Sequence, residues 1–348
     1  MMAVAALVAC TKSDIQYETA GEISFAPIAS NVTKSVAGYD GNTFNGVFPT
    51  DIDLYVFANA QDEIDGVLQQ SWTTPYFANA LFEWEAGGTE DTQTFDGKSY
   101  ATVGAYAGNP TRYWPNVKTL KFAGYSDACN VSNLIPTMND DLSALTINGY
   151  VQDNTKKAEG ANDLMWFPCD GQPYSKQANE IAAQMKHACS WITINVAGDD
   201  VTAGNWTLNS LVVKSLKHSG NVVCNATTAQ WTPTGVGADE EYYNAGTTFT
   251  EEYVKYEKNA NNFIVLPQQP TSLDVTYTYT SQEATSSTAA ITLTETKNVP
   301  LTFNGTDHWA PGVHYIYNVL ITASEILIDP VVVDWTNYTG NTINKEVN

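Results

Sequence analysis

The chain has 348 residues, of which 43% are hydrophobic and 11% aromatic, a composition that favours globular domains and excludes intrinsic disorder. Its 38 acidic residues against 16 basic ones give a formal net charge of −22. A chain this acidic repels phosphate backbones and anionic lipid heads, and its single arginine, Arg112, offers no phosphate clamp, so nucleic acid is excluded as a partner.

The first ten residues read Met-Met-Ala-Val-Ala-Ala-Leu-Val-Ala-Cys. A short apolar run that ends in small residues is typical of a secretory signal. The ending Leu7-Val8-Ala9-Cys10 resembles the bacterial lipobox, which predicts lipidation of Cys10 and an outer-membrane anchor. The run is too short to span a bilayer, which needs about 20 apolar residues. No Lys or Arg precedes it, so the true start codon stays open.

Alternation of apolar and polar residues is the dominant pattern in the rest of the chain. This period of two is typical of a strand with one face on a core and the other in water. The clearest examples are residues 52–56, 120–122, 192–196, 275–279 and 291–293. Clusters of Gly, Asn and Asp supply turns between them. The pattern predicts an all-β protein of the sandwich type.

One segment has a different composition. Residues 176–189 read KQANEIAAQMKHAC, with no Gly and a single β-branched residue, so we predict a short helix near mid-chain. The length of the chain favours two domains. We place their boundary near residue 178, to within about a dozen residues.

Four cysteines follow Cys10, namely Cys129, Cys169, Cys189 and Cys224. In an oxidising compartment they can form two disulfides in any of three pairings, or they can remain buried thiols, and the sequence leaves this open. They show no CxxC spacing, so we predict no metal site. The chain also lacks HExxH, GxSxG and P-loop motifs, so we predict no catalytic residue and no cofactor.

Several segments carry a family resemblance when they are taken in order. They are Tyr113-Trp114-Pro115 with Leu120, Phe122 and Tyr125; His187 and Ser190 with Ile192, Ile194 and Val196; Phe263-Ile264-Val265-Leu266-Pro267-Gln268; and Trp309-x-Pro311-Gly312-x-His314-Tyr315 with Tyr317, Val319, Ile321, Ile328, Val333 and Trp335. Together with Cys10, these segments resemble the Bacteroidales fimbrillin family, the FimA- and Mfa-like subunits of type V pili. Gly124 departs from that pattern, because alanine is common at its position.

The resemblance implies two transthyretin-like β-sandwich domains in tandem. It also implies a pilus subunit that is exported as a lipoprotein and displayed at the cell surface. It further implies that a trypsin-like protease removes the lipid anchor and the first strand, and that a C-terminal strand of a neighbouring subunit fills the groove that remains. The implied partners are other pilus subunits, with a host or bacterial surface ligand as a further one. Whether the subunit belongs to the stalk, the tip or the anchor stays open.

On this sequence, the candidate first strand contains Ile23, Phe25 and Ile28. The candidate cleavage lies between Lys34 and Ser35, because Lys34 is the only basic residue between Lys12 and Lys98. An ordinary loop lysine is the equally weighted alternative. The candidate donor strand presents Ile326, Ile328, Val331, Val333 and Trp335. The alternative for that segment is the last strand of its own domain.

The expected organisation is therefore a signal over residues 1–10, a propeptide with the first strand over 11–34, an N-terminal sandwich over 35–178 and a C-terminal sandwich with the donor strand over 179–348. The aromatic residues also allow a different class of function. Nine Trp and 19 Tyr residues can form sugar-stacking platforms, so the alternative is a monomeric surface lipoprotein that binds glycans.

Overall fold

The computed structural model describes residues 21–29, 52–85, 91–95, 98–102, 105–153, 163–177, 180–198, 204–248, 251–255, 263–269, 272–281, 292–301, 308–322 and 326–334. Cys10, Lys34, Ser35 and Trp335 lie outside these residues. Nearly all of the described regular structure is β, which confirms the predicted all-β class.

The described strands are, in chain order, β1 Ser24–Ala29, β2 Leu54–Ala60, β3 Glu63–Ile64, β4 Val67–Leu68, β5 Thr74–Glu85, β6 Asp91–Phe95, β7 Lys98–Thr102, β8 Ala105–Gly108, β9 Leu120–Ser126, β10 Thr137–Met138, β11 Ala144–Val151, β12 Met165–Phe167, β13 Ile181–His187, β14 Ser190–Gly198, β15 Gly204–Leu216, β16 Ser219–Asn225, β17 Ala229–Thr234, β18 Ala238–Tyr243, β19 Thr247–Thr248, β20 Val254–Lys255, β21 Phe263–Val265, β22 Ser272–Ser281, β23 Thr292–Pro300, β24 Val313–Ile321 and β25 Ile326–Asp334. The one helical segment among the described residues is a 3₁₀ helix, Ala128–Leu134.

Seven strands of the N-terminal half close into a barrel in the order β1–β13–β12–β9–β2–β5–β8, and β8 pairs back to β1. Alternate residues of each strand point inward. These inward residues are apolar, so the barrel has an apolar interior. Its core contains Ile23, Phe25, Leu54, Val56, Ala58, Phe82, Tyr106, Leu120, Phe122, Phe167, Ile181, Ala183 and Met185.

A four-stranded sheet, β10–β11–β16–β17, covers the outside of the barrel. Its apolar face packs with the outward residues of β2 and β9, so these two barrel strands are buried on both faces. This second core includes Phe57, Ala123 and Tyr125 from the barrel, and Leu145, Ile147, Val222 and Cys224 from the covering sheet. The pairing of β11 with β16 joins the two halves of the chain.

The C-terminal half forms a sandwich of two five-stranded sheets. One has the order β20–β14–β24–β25, with β21 also on β14, and the other has the order β18–β15–β22–β23, with β19 also on β15. Their inner faces share one core, which includes Ile192, Ile194, Val196, Leu208, Leu211, Val213, Val275, Tyr277, Tyr317, Val319 and Ile321. The alternation that was visible at 192–196 and 275–279 is the inward face of β14 and β22.

The prediction of a helix over residues 176–189 is wrong. Residues 181–187 form β13, where Ile181, Ala183, Met185 and His187 are buried and the residues between them are partly exposed. Ala, Gln, Met and Lys favour helices in isolation, but the gain from pairing and from one buried face outweighs that local preference.

The domain boundary near residue 178 remains a prediction. β13 follows that position in the chain but pairs within the barrel, and β14 is the next strand in sequence and belongs to the sandwich. A division between His187 and Ser190 fits this pairing and lies within a dozen residues of the predicted one.

The close packing around Gly124 in β9 explains why this position departs from the family pattern, in which alanine is common. An added Cβ would lie 2.4 Å from Cε1 of Phe167 and 2.5 Å from the backbone oxygen of Tyr55. We therefore expect Gly124→Ala to lower the free energy of unfolding by about 1–3 kcal/mol, measured by chemical denaturation. Gly21→Ala is the control, because a Cβ there meets only ordinary contacts of 3.5 Å or more. Equal stability of the two variants would refute the close approach of β9 to β2 and β12.

Candidate functional site

The candidate site is the groove between β8 and β13, which β1 occupies and which we call the β1 groove. On one side β1 runs parallel to β13, from Phe25 opposite Ile181 to Ala29 opposite Met185. On the other side it runs antiparallel to β8, with Phe25 opposite Tyr106. β1 is therefore the strand that closes the barrel, and without it both neighbours would present unpaired backbone groups.

The residues just before β1 are held by backbone hydrogen bonds to one loop. The N–H of Ile23 donates to the carbonyl of Arg112 at 2.8 Å, and the N–H of Trp114 donates to the carbonyl of Gly21 at 3.0 Å. These bonds extend the contact of β1 beyond the short β8. The residues that precede β1 thus fix the start of the strand to the barrel wall.

Phe25 is the central side chain of the β1 groove and is fully buried. Its ring meets Phe82 edge-on at 4.9 Å between centroids, Phe122 edge-on at 5.3 Å and Phe167 at 5.8 Å. Edge-to-face contacts of this kind add to the gain from burial. Ile23 is only 1% exposed and fills the next inward position. Each such side chain contributes roughly 1.5–3 kcal/mol through burial.

The wall beside β1 contains a small hollow. A cavity of about 40 Å³ is lined by Phe122, Phe167, Pro168, Asp170, Tyr174 and residues 181–184 of β13. The hydroxyl of Tyr174 donates to the Asp170 carboxylate at 2.7 Å. Burial, reinforced by that hydrogen bond, raises the pKa of Tyr174, so this phenol stays neutral. Its lining comes from β9, β12, β13 and the segment between β12 and β13, so the hollow belongs to the wall of the groove.

The second predicted element, β25, is paired within its own sheet. It runs antiparallel to β24 along its whole length, from Ile326 opposite Ile321 to Asp334 opposite Val313. Ile326 packs against the sandwich core, whereas Leu327 is 48% exposed. Among the strands that the structure describes, β24 is its one partner, so β25 is an edge strand.

The structure therefore brings together only part of the predicted set. Ile23 and Phe25 share one core, and Ile28 lies opposite Gln184 in the same strand pair. Ile328, Val331 and Val333 lie in β25, at the other end of the chain. Cys10, Lys34, Ser35 and Trp335 lie outside the described residues.

The four remaining cysteines are thiols in the structure. Cys189 and Cys224 are buried, and Cys129 and Cys169 are partly buried. Burial raises the pKa of the Cys169, Cys189 and Cys224 thiols, so these three stay protonated.

Sequence reasoning missed both walls of the β1 groove. β13 was taken for a helix, and β8 has only four residues and no long alternation. The available signal was the spacing of Ile181, Ala183 and Met185, which is the period of a strand.

A metal centre and a helix that could span a membrane are both absent from the described part of the chain. It contains no group of three or more His, Cys, Asp or Glu side chains placed to hold a metal ion. None of its helical segments combines the length and hydropathy needed to cross a membrane.

This chain is similar to solved structures of two fimbrial proteins. A fimbrial protein from Bacteroides vulgatus is 15% identical, with a TM-score of 0.55, over 90% of this chain and 99% of that one. The tip fimbrial protein Mfa3 from Porphyromonas gingivalis is 10% identical, with a TM-score of 0.43, over 90% and 99%. The TM-score of the first pair shows that the Bacteroides vulgatus protein and this chain share a fold. Among curated protein sequences, none matches this chain.

A sequence model described as fimbrillin-like matches residues 70–335, which is more than half of the chain. The matched region contains most of the segments that carry the resemblance, from Tyr113-Trp114-Pro115 to Trp335. That resemblance is thereby confirmed, and the chain belongs to the fimbrillin-like family.

Proposed function

We propose that this protein is a subunit of a cell-surface pilus that polymerises by strand exchange. Proteolysis removes β1, and a C-terminal strand of a neighbouring copy takes its place between β8 and β13. The observation that supports this most directly is the position of β1, because a single strand at the beginning of the chain closes the whole barrel.

The physical argument concerns what the loss of β1 would leave behind. Two strand edges would lack partners, and the cage of Phe82, Phe122 and Phe167 would open to water. Exposed strand edges beside an apolar groove are templates for an added strand. Each apolar donor residue that faces the interior of the groove would contribute roughly 1.5–3 kcal/mol on burial, before the cost of ordering.

The earlier steps of the pathway belong to the same proposal. Acylation at Cys10 would anchor the precursor in the outer membrane, and cleavage between Lys34 and Ser35 would release it for assembly. The protein acts through binding and assembly rather than catalysis and uses no cofactor. Its partners are other pilus subunits.

The glycan-binding alternative is supported less well. The tryptophans Trp114, Trp191, Trp206 and Trp309 are all buried, so they cannot stack on a sugar at the surface. A platform of this kind would need other aromatic residues.

The proposal is tested on the full chain displayed on cells. We expect the surface-assembled form to begin at Ser35 on N-terminal sequencing and to run as an SDS-resistant ladder. Lys34→Gln should abolish both results, whereas Lys12→Gln, the matched control, should leave both unchanged. A mature protein that remains a monomer and keeps β1 would refute the proposal.

A further inference from the structure

The segment that contains β1 and the segment that contains β25 share a sequence. Residues 19–28 read TAGEISFAPI and residues 322–331 read TASEILIDPV, so five of the ten positions are identical. Apolar residues also correspond at Phe25 and Ile328, and at Ile28 and Val331. The pattern Glu-Ile-x-apolar-x-Pro-apolar occurs nowhere else in the chain, although Glu-Ile itself recurs at residues 63 and 180.

We propose that β25 is built as a copy of β1 and enters the β1 groove of a neighbouring copy in the register of β1. Ile326, Ile328 and Pro330 then take the places of Ile23, Phe25 and Pro27. This inference rests on the proposed function and adds the register in which the donor strand enters the groove. The last residues, 335–348, contain neither proline nor a Glu-Ile pair and do not repeat the pattern.

The faces of the two strands correspond. At the start of β1, Phe25 and the preceding Ile23 are buried in the barrel, and Ser24 between them is partly exposed. In β25, Ile326 packs against a core and the next residue, Leu327, is exposed. Because side chains alternate along a strand, matching Ile326 to Ile23 directs Ile328 into the cage of Phe25.

The shared proline fixes the register. The N–H of Ile23 points toward the β8 side, where it donates to Arg112, so the backbone nitrogens of Phe25 and Pro27 face that side as well. The described pairing with β8 ends at Phe25, so the missing N–H of Pro27 breaks no described ladder bond. A donor shifted by one residue would direct its proline at β13 and lose a bond there.

Two residues of β25 fit the β1 groove less well than the residues of β1 whose places they would take. Ile328 is smaller than Phe25 and underfills the aromatic cage. Asp329 takes the place of Ala26, which is fully buried, and a carboxylate at such a position is unfavourable. β25 is therefore a weaker ligand than β1, so β1 must be removed before exchange.

A disulfide between two copies tests the register. Leu327 would take the place of Ser24, which lies opposite Ala107 in β8. By the alternation above, this is a non-hydrogen-bonded pair, in which side chains are closest. One full chain carries Ala107→Cys, is cleaved after Lys34 with a lysine-specific protease and is separated from the released β1 segment. The other carries Leu327→Cys. We expect a cross-linked dimer under mild oxidation, and none with the matched control Ala105→Cys, two residues along β8.

The outcomes separate this inference from the proposed function. A ladder that forms while Ala107→Cys fails to cross-link, or while Ala105→Cys cross-links better, overturns the register and leaves strand exchange standing. If no oligomer forms, both proposals fail. The unsubstituted chain under the same oxidation shows the background from the native cysteines.

A peptide probe tests the imperfect fit. A synthetic peptide of residues 322–334 is bound to the cleaved full chain, so that changes in the probe leave β25 in its own sheet untouched. We expect Ile328→Phe in the peptide to slow dissociation at least tenfold, and Asp329→Ala to slow it as well. Leu327→Phe and Asp334→Ala are the matched controls and should change little. Equal effects of Ile328→Phe and Leu327→Phe would overturn the assignment of Ile328 to the cage.

Discussion

Phe25→Ala in the uncleaved chain is expected to lower the free energy of unfolding by about 3–5 kcal/mol. The residue is fully buried and its ring meets three other phenylalanine rings, so truncation leaves a cavity at the centre of the barrel. The wall cannot collapse easily to fill it, because a closed ladder of strands holds its shape. Urea denaturation followed by tryptophan fluorescence measures the change.

Ser24→Ala is the matched control, since Ser24 lies in the same strand and points outward. We expect it to change stability by less than about 0.5 kcal/mol. The processed form provides a second control, because a chain that begins at Ser35 no longer contains either residue. A loss below about 1 kcal/mol for Phe25→Ala would show that β1 does not close the barrel as described.

Asp163→Ala is expected to lower the free energy of unfolding by about 2–4 kcal/mol. The Asp163 carboxylate lies 2.7 Å from Nδ1 of His187, and their side chains are only 2% and 6% exposed. Losing the carboxylate removes a buried partner of the imidazole at the end of β13, the strand that flanks β1. Thermal unfolding followed by circular dichroism measures the loss.

Asp163→Asn separates the hydrogen bond from the loss of volume. The amide oxygen can still accept a hydrogen bond from Nδ1, so we expect about half the loss seen with alanine. Identical losses for the two variants would mean that a hydrogen bond from His187 to a neutral amide does not replace its contact with the carboxylate.

The amount of structure that could be predicted from the sequence differs between strands. β14 and β22 were found because their inward residues alternate over several positions with Thr and Asn between them. A period of two is a local property, and burial of one face follows from it directly. The donor candidate came from the family resemblance, and its alternative, the last strand of its own domain, could not be excluded from the pattern.

The β1 groove shows most clearly how far the sequence alone could predict the structure. Its first strand was predicted from the family resemblance, which placed Ile23 and Phe25 in the strand that proteolysis removes. Its parallel wall, β13, was missed because Ala, Gln and Lys have local preferences for a helix that the barrel overrides.

The sequence by itself determined the β class, the alternating faces and the pattern that β1 and β25 share. Only the tertiary structure decided that β1 lies between β8 and β13, and that residues 181–187 are extended. The physical reason is that alternation depends on neighbours in the chain. Strand partnership depends on residues far apart, whose pairing is favourable only when the whole barrel closes.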